Sequence, residues 1–151
     1  MAFNFQKILC PIQFNDSNST IALDLARHLA LESKGRIFLL HVTPSKLVVP
    51  DLPGYRDLFP KDEQAVSEQL DKLAAPYLDK NSYQIILRTG DPAEMINLVA
   101  RELGIDLIII PTHGRRGLSH FVMGSAAERV IREASCMVLT IRPELIRKSS
   151  V

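Results

Sequence analysis

A chain of 151 residues, 46% apolar and 23% charged, is long enough for one domain with a substantial core and has the composition of a folded protein. A formal net charge of +1 excludes the strongly basic surface that neutralises nucleic-acid phosphates, so no nucleic-acid partner is expected. The longest apolar run, residues 107–111, falls far short of the roughly 20 residues a membrane span needs. Residues 1–7 carry no apolar leader core, so the expected location is the cytoplasm, with no membrane contact. Cys10 and Cys136 lie far apart without metal-ligand spacing and read as reduced thiols.

Taken in chain order, the apolar run 8–12 predicts a buried strand. Asn15, Asp16, Ser17, Asn18 and Ser19 follow, all types whose side chains cap helices. Ile21, Ala22, Leu25, Ala26, Leu29 and Ala30 recur at helical spacing and predict the inner face of a first helix, stopped by Ser33, Lys34 and Gly35. Residues 36–42 form a second strand. Residues 43–60 are the least regular, with Pro44, Pro50, Pro53, Gly54 and Pro60, a pattern that fits a lid or mobile segment. A second helix is expected over 61–78, with Val66, Leu70, Leu73, Ala74 and Tyr77 on one face and Pro76 bending it or ending it early.

Residues 83–87 read as a third strand. Asp91, Pro92 and Glu94 make a strong helix start, because Asp91 can cap, proline suits the first helical position and Glu94 completes a capping box. That helix runs to Leu103 and ends at Gly104. Residues 106–110 are apolar enough for a strand covered on both faces. A glycine-containing loop spans 112–124. Ser125 and Glu128 suggest a second capping box, opening a fourth helix that runs to about Ala134, and residues 137–141 close the order as a fifth strand.

Strands alternating with helices imply an α/β fold: a five-stranded parallel sheet with helices on both faces, in a single domain covering residues 1–151. An arrangement of two β-α-β halves puts the first and fourth strands side by side at the sheet centre. Ligands bind at such a switch point, outside the carboxyl ends of the strands, which here means loops 13–19 and 112–124.

The second of these loops holds Gly114, Gly117, Gly124 and Ser125 just ahead of a helix. Glycine lets backbone N–H groups approach an oxyanion, and a helix start supplies unpaired N–H groups with a partial positive charge. The alternative is that these glycines only make turns and Ser125 only caps its helix. Neither a Walker A pattern nor G-x-G-x-x-G is present, so a phosphate site here is not a P-loop or an ordinary dinucleotide fold.

Residues 110–118, Ile-Pro-Thr-His-Gly-Arg-Arg-Gly-Leu, and 123–130, Met-Gly-Ser-Ala-Ala-Glu-Arg-Val, resemble the signature of the universal stress protein family. Residues 7–12, the turn 90–94 and residues 136–139 resemble it too, so the likeness covers nearly the whole chain in order. It implies a Rossmann-like fold of the adenine nucleotide alpha hydrolase-like kind and a cytoplasmic regulatory module that holds ATP or another adenine nucleotide, with magnesium accompanying the triphosphate. The nucleotide-binding branch carries G-x2-G-x9-G-[ST]. Mapped here, Gly114, Gly124 and Ser125 hold their motif positions, while Pro111 replaces the first glycine and has no N–H to donate. Gln13 stands where binding members usually have an acidic residue, and its amide can bond a ribose hydroxyl or base edge without charge. By the same resemblance Pro11 and Ile12 line the nucleoside pocket, Val42 offers backbone groups to adenine, and Ala126 adds a phosphate-facing N–H.

Arg115 and Arg116 are placed to reach phosphates or simply to be solvated, and His113 and His120 share their loop. His28 and His41 fall on regular elements and read as structural. Asp16 and Asp106 belong to no visible triad or paired-carboxylate arrangement, and no nucleophile has a base nearby, so no enzyme is expected. The last strand is apolar and expected at a sheet edge, a template for a second copy. A homodimer through Met137, Val138, Leu139, Thr140 and Ile141 is therefore expected, as the resemblance also implies, with apolar residues of 43–60 adding contacts. The first alternative function is a dimeric interaction protein of the same family that has lost its nucleotide, and the second, ranked below it, is a slow ATP hydrolase.

Overall fold

A computed structural model describes residues 3–14, 16, 18–45, 62–112 and 124–142. In chain order they form β1 (Lys7–Pro11), α1 (Ser19–Ser33), β2 (Arg36–Thr43), α2 (Glu63–Ala74), β3 (Tyr83–Thr89), α3 (Pro92–Leu103), β4 (Leu107–Pro111), α4 (Ser125–Glu133) and β5 (Met137–Ile141). The five strands make one parallel sheet in the order β3-β2-β1-β4-β5. β1 and β4 are neighbours at its centre, as the element order predicts.

Side chains of the central strands alternate between two cores. Ile8, Cys10, Leu107 and Ile109 join the cluster built on α1 and α2, while Leu9, Ile108 and Ile110 join the one built on α3 and α4. Every residue of β4 is buried because helices cover both faces, which is why it reads as an unbroken apolar run. Burial pushes the Cys10 thiol up to about 12, so it is an inert core group, and Cys136 is likewise free. Among the described residues no helix is long and apolar enough to cross a membrane.

Local signals set most boundaries. α2 ends at Ala74, two residues before Pro76, and is capped by Asp62, whose carboxylate accepts from the Gln64 N–H at 2.9 Å. The Asp91 carboxylate accepts from the Glu94 N–H at 2.9 Å, Pro92 is the first helical residue, and Gly104 closes α3 at φ 62°. The stop of α1 divides its labour differently from the sequence pattern. Lys34 takes the left-handed cap at φ 52°. Gly35 is needed for space, since a Cβ there would stand 2.2 Å from the Phe5 carbonyl oxygen. Leu23, absent from the predicted inner face of α1, is fully buried, whereas Ile21, Leu25 and Leu29 only flank the core.

The second capping box requires correction. Gly124, with φ −59° and ψ 144°, is the N-cap of α4, and Ser125 is already helical. The Ser125 side chain therefore sits one residue too late to cap, and among the described residues no side chain caps this helix.

Candidate functional site

A cleft of about 250 Å³ opens at the carboxyl ends of β1 and β4. One wall is Pro11 and Gln13, with Asp16 and Ser19 at the entry to α1. Pro92 and Ile96 of α3 form another, Ile110 and Pro111 close the floor side, and residues 124–127 supply the start of α4. Pro11 and Pro111 are the last residues of β1 and β4.

The loop after β1 is held through its backbone. The Ile12 N–H donates to Leu40 at 2.8 Å. The Gln13 carbonyl accepts from the Asp16 N–H at 3.1 Å and from the Ser19 hydroxyl at 3.3 Å. Asp16 in turn accepts the Asn18 N–H on its carboxylate at 2.9 Å. Ser19 is buried, and Gln13 keeps an exposed side chain on the cleft.

Three helix starts border this cleft, and they differ in what occupies their N–H groups. In α1, Ser19 donates to the Asp16 carbonyl and Ile21 to the Asn18 carbonyl, each at 3.1 Å. In α3, Pro92 has no N–H and the Asp91 carboxylate takes Glu94. In α4 the first helical bond runs from the Glu128 N–H to the Gly124 carbonyl at 3.0 Å. The N–H groups of Ser125, Ala126 and Ala127 precede that bond, and glycine has no side chain to cap them. Arg129 fixes α4 against α3 by donating to the Asp91 carboxylate at 2.8 Å, leaving the helix start facing the cleft. The arrangement can receive an anion on uncharged donors, with apolar surface beside it.

Of the residues singled out in the sequence, Pro11, Gln13, Pro111, Gly124, Ser125 and Ala126 meet on this cleft. Ile12 does not: its side chain is 1% exposed in the α1 and α2 core. Val42 is half-buried, packs on the α3 and α4 core and lies off the cleft wall. Gly114 and Arg115, with Arg116, Gly117, His113 and His120, fall outside the described residues, as does most of 43–60. Asp16 and Ser19 belong to the loop 13–19 expected at the switch point without having been singled out, and Pro92, Ile96, Ile110 and Ala127 were not anticipated as wall residues. The available signal was positional, since Asp16, Ser19 and Pro92 begin helices that leave the same end of a parallel sheet.

A model of the universal stress protein family matches residues 4–142. The chain belongs to the universal stress protein family. Universal stress protein YxiE of Bacillus subtilis is 31% identical over an alignment covering 91% of this chain and 99% of that one. Among solved structures, MJ0577, a universal stress protein of Methanocaldococcus jannaschii, superposes with a TM-score of 0.72 at 25% identity, covering 92% of this chain and 96% of that one. A universal stress protein solved in complex with cAMP shares the Rossmann-like fold, with a TM-score of 0.62 at 19% identity over 93% of this chain and 98% of that one.

Proposed function

We propose that this universal stress protein is a cytoplasmic regulatory module that holds ATP or a related adenine nucleotide in the cleft between β1, β4 and α4. The observation that carries the reading is the uncapped start of α4, whose leading N–H groups border the cleft at the sheet's switch point. A helix start contributes about 0.3–1 kcal/mol per exposed charge interaction, so affinity also needs the base and ribose to be covered. The cleft volume of about 250 Å³ is just under the usual range of about 300–1,000 Å³, and the nucleotide would extend past its rim. The family member in complex with cAMP supports the class of ligand.

Magnesium would enter with the triphosphate. Among the described residues no group of three or more His, Cys, Asp or Glu could hold an ion, and Asp16 brings a carboxylate to the wall. The reading includes no turnover, and occupancy itself is the signal. Titration calorimetry with ATP, ADP and AMP tests it. Binding of at least one nucleotide at submillimolar Kd is expected, weakened about tenfold or more by Gly124→Val, whose side chain would crowd the anion position. Silence at millimolar nucleotide would sink the reading. Phosphate release no faster than in Gly124→Val is also expected.

The module would be a homodimer through β5. The two sheet edges are unlike: β3 carries Gln84 and Arg88, while β5 is Met-Val-Leu-Thr-Ile without a charge. Met137 is 51% and Leu139 37% exposed, Val138 and Thr140 are half-buried, and Ile141 is buried. A second copy pairing there would cover the exposed side chains around a two-fold axis. Light scattering should show a dimer that Leu139→Lys splits into monomers.

A specific observation favours a second reading, a dimeric interaction protein without nucleotide. Gln13 and Pro111, the two departures from the family's binding pattern, both stand on the cleft wall. Under that reading Gly124→Val leaves every property of the protein intact.

A further inference from the structure

We infer that His41 is a positioning residue for the cleft, its ring setting the loop that presents Gln13. The inference rests on the cleft being the nucleotide site. His41 lies on β2, in register with Leu87 of β3, and is 8% exposed. Its Nδ1 stands 3.0 Å from the Ile12 carbonyl oxygen, across 29 residues of sequence. Its ring centroid is 4.6 Å from that of Phe14, with planes tilted by 38°. The two contacts fall on the residues immediately before and after Gln13. With the Ile12 N–H bound to Leu40 and the Gln13 carbonyl bound to Asp16 and Ser19, they leave the Gln13 side chain as the free end of an otherwise fixed segment.

The chemistry fixes the tautomer. A carbonyl oxygen only accepts, so Nδ1 carries the hydrogen and Nε2 is bare in the neutral ring. Burial lowers the ring's pKa, and the bond to Ile12 only partly opposes this, so the neutral donor is the form held at neutral pH. Gln13 is the uncharged replacement at the expected ribose or base contact, and a neutral bond depends more on placement than a charged one does. A rigid loop offsets part of that loss by reducing what must be ordered on binding.

Two variants separate the contacts. His41→Asn retains a donor in the Nδ1 position, whereas His41→Phe retains a ring for Phe14 and removes the donor. In the ligand-free protein, the 15N order parameter of Gln13 is expected to fall from about 0.85 to below about 0.6 in His41→Phe and to stay near the wild-type value in His41→Asn. In nucleotide titrations, His41→Phe is expected to weaken ATP about fivefold, the worth of one neutral hydrogen bond. His41→Phe combined with Gln13→Ala should bind no more weakly than Gln13→Ala alone. An unchanged Gln13 order parameter, or additive losses, overturns the inference. Should His41→Phe fail to fold, long-range 15N–1H correlation on the wild type decides, since an Nε2–H tautomer of His41 overturns it equally. If the wild type binds no adenine nucleotide, the proposed function fails, and the ligand-free order parameters still decide the role of His41.

Discussion

The two ends of this sheet are built from the same elements and differ in one helix start. At the amino end the groups pair with one another. Asp106 accepts from the backbone N–H groups of Gln6 and Lys7 at 2.9 and 2.8 Å, and the Lys7 ammonium donates to the Leu103 carbonyl at 2.8 Å. Ser33 binds the Phe5 N–H and the Gln6 amide, and Asp71 accepts from Lys80 and from the Tyr83 hydroxyl. At the carboxyl end, no side chain among the described residues caps the start of α4, which borders an open cleft. Size does not separate the two ends in the expected direction. The larger hollow, about 520 Å³, lies at the amino end between the ends of α1 and α2. There the helices end, and their last carbonyls are taken by local N–H groups: Ala30 by Gly35, and Ala74 by Tyr77 and Leu78. What distinguishes the smaller cleft, and carries the proposal of a site there, is its supply of donors ahead of the first helical bond.

This contrast predicts that changes at the amino end cost stability and changes at the cleft cost affinity. The sharpest attempt to break it is Gly35→Ala. The added Cβ would meet the Phe5 carbonyl oxygen at 2.2 Å, a backbone atom that cannot swing aside. A loss of about 2–3 kcal/mol is expected from urea unfolding, with nucleotide affinity of the folded protein unchanged. Asp106→Ala comes next. It strips the acceptor from two backbone N–H groups and should cost about 1–2 kcal/mol, less than two buried charged bonds because the site is exposed. Asp106→Asn, which keeps one carbonyl acceptor, should lose less. A drop in affinity without a drop in stability in either variant would end the division between the two ends.

An unpaired polar group is inexpensive only where water or a ligand can reach it. Asn97 of α3 tests that limit: it is 2% exposed, and neither amide atom has a partner among the described residues. Asn97→Leu removes two desolvated groups at similar volume and should raise stability by about 1 kcal/mol, read from the same urea midpoints. The start of α4 offers no comparable gain, because its donors already face the cleft.

Much of this was legible in the chain. The β-α alternation gave the strand order, Asp91 with Pro92 and Glu94 gave a helix start to the residue, and Pro76 limited α2, because each is a local signal with a local cause. The failures lie where the third dimension decides. Ser125 looked like a cap, but backbone geometry gave that position to Gly124. Gly35 does help stop α1, its N–H closing on the Ala30 carbonyl, but the need for glycine there answers to Phe5, 30 residues away, which the local pattern does not show. Ile12 looked like a pocket residue and instead points its side chain into the core, so that Gln13 and Asp16 reach the wall. Side-chain direction at the end of a strand is set by what packs beneath it, which one sequence does not state.

The smallest expected effect reads the two ends separately through pH. At the amino end, the bonds from Lys80 and Tyr83 lower the pKa of Asp71, and the Asp71 contribution is present at neutral pH and lost only as acid protonates the carboxylate. Burial, with the Asp71 bond second, pushes Tyr83 from 10.0 up to about 12. Its neutral form is therefore favoured in the native state, and stability is lost as pH rises between those values. Neither group titrates near pH 6. At the carboxyl end, burial lowers the pKa of His41 below 6.5, so the unfolded chain takes up its proton first. The His41 contribution is complete above pH 6.5 and declines as pH falls below it, until the native ring also protonates. Urea midpoints at pH 7.5 and 5.5 should therefore separate more in the wild type than in His41→Phe. Tyr83→Phe should leave that interval unchanged and reduce the alkaline loss instead. A Tyr83→Phe variant that altered the interval from 7.5 to 5.5 would show that the two ends share one titrating network, and the contrast between them would fail.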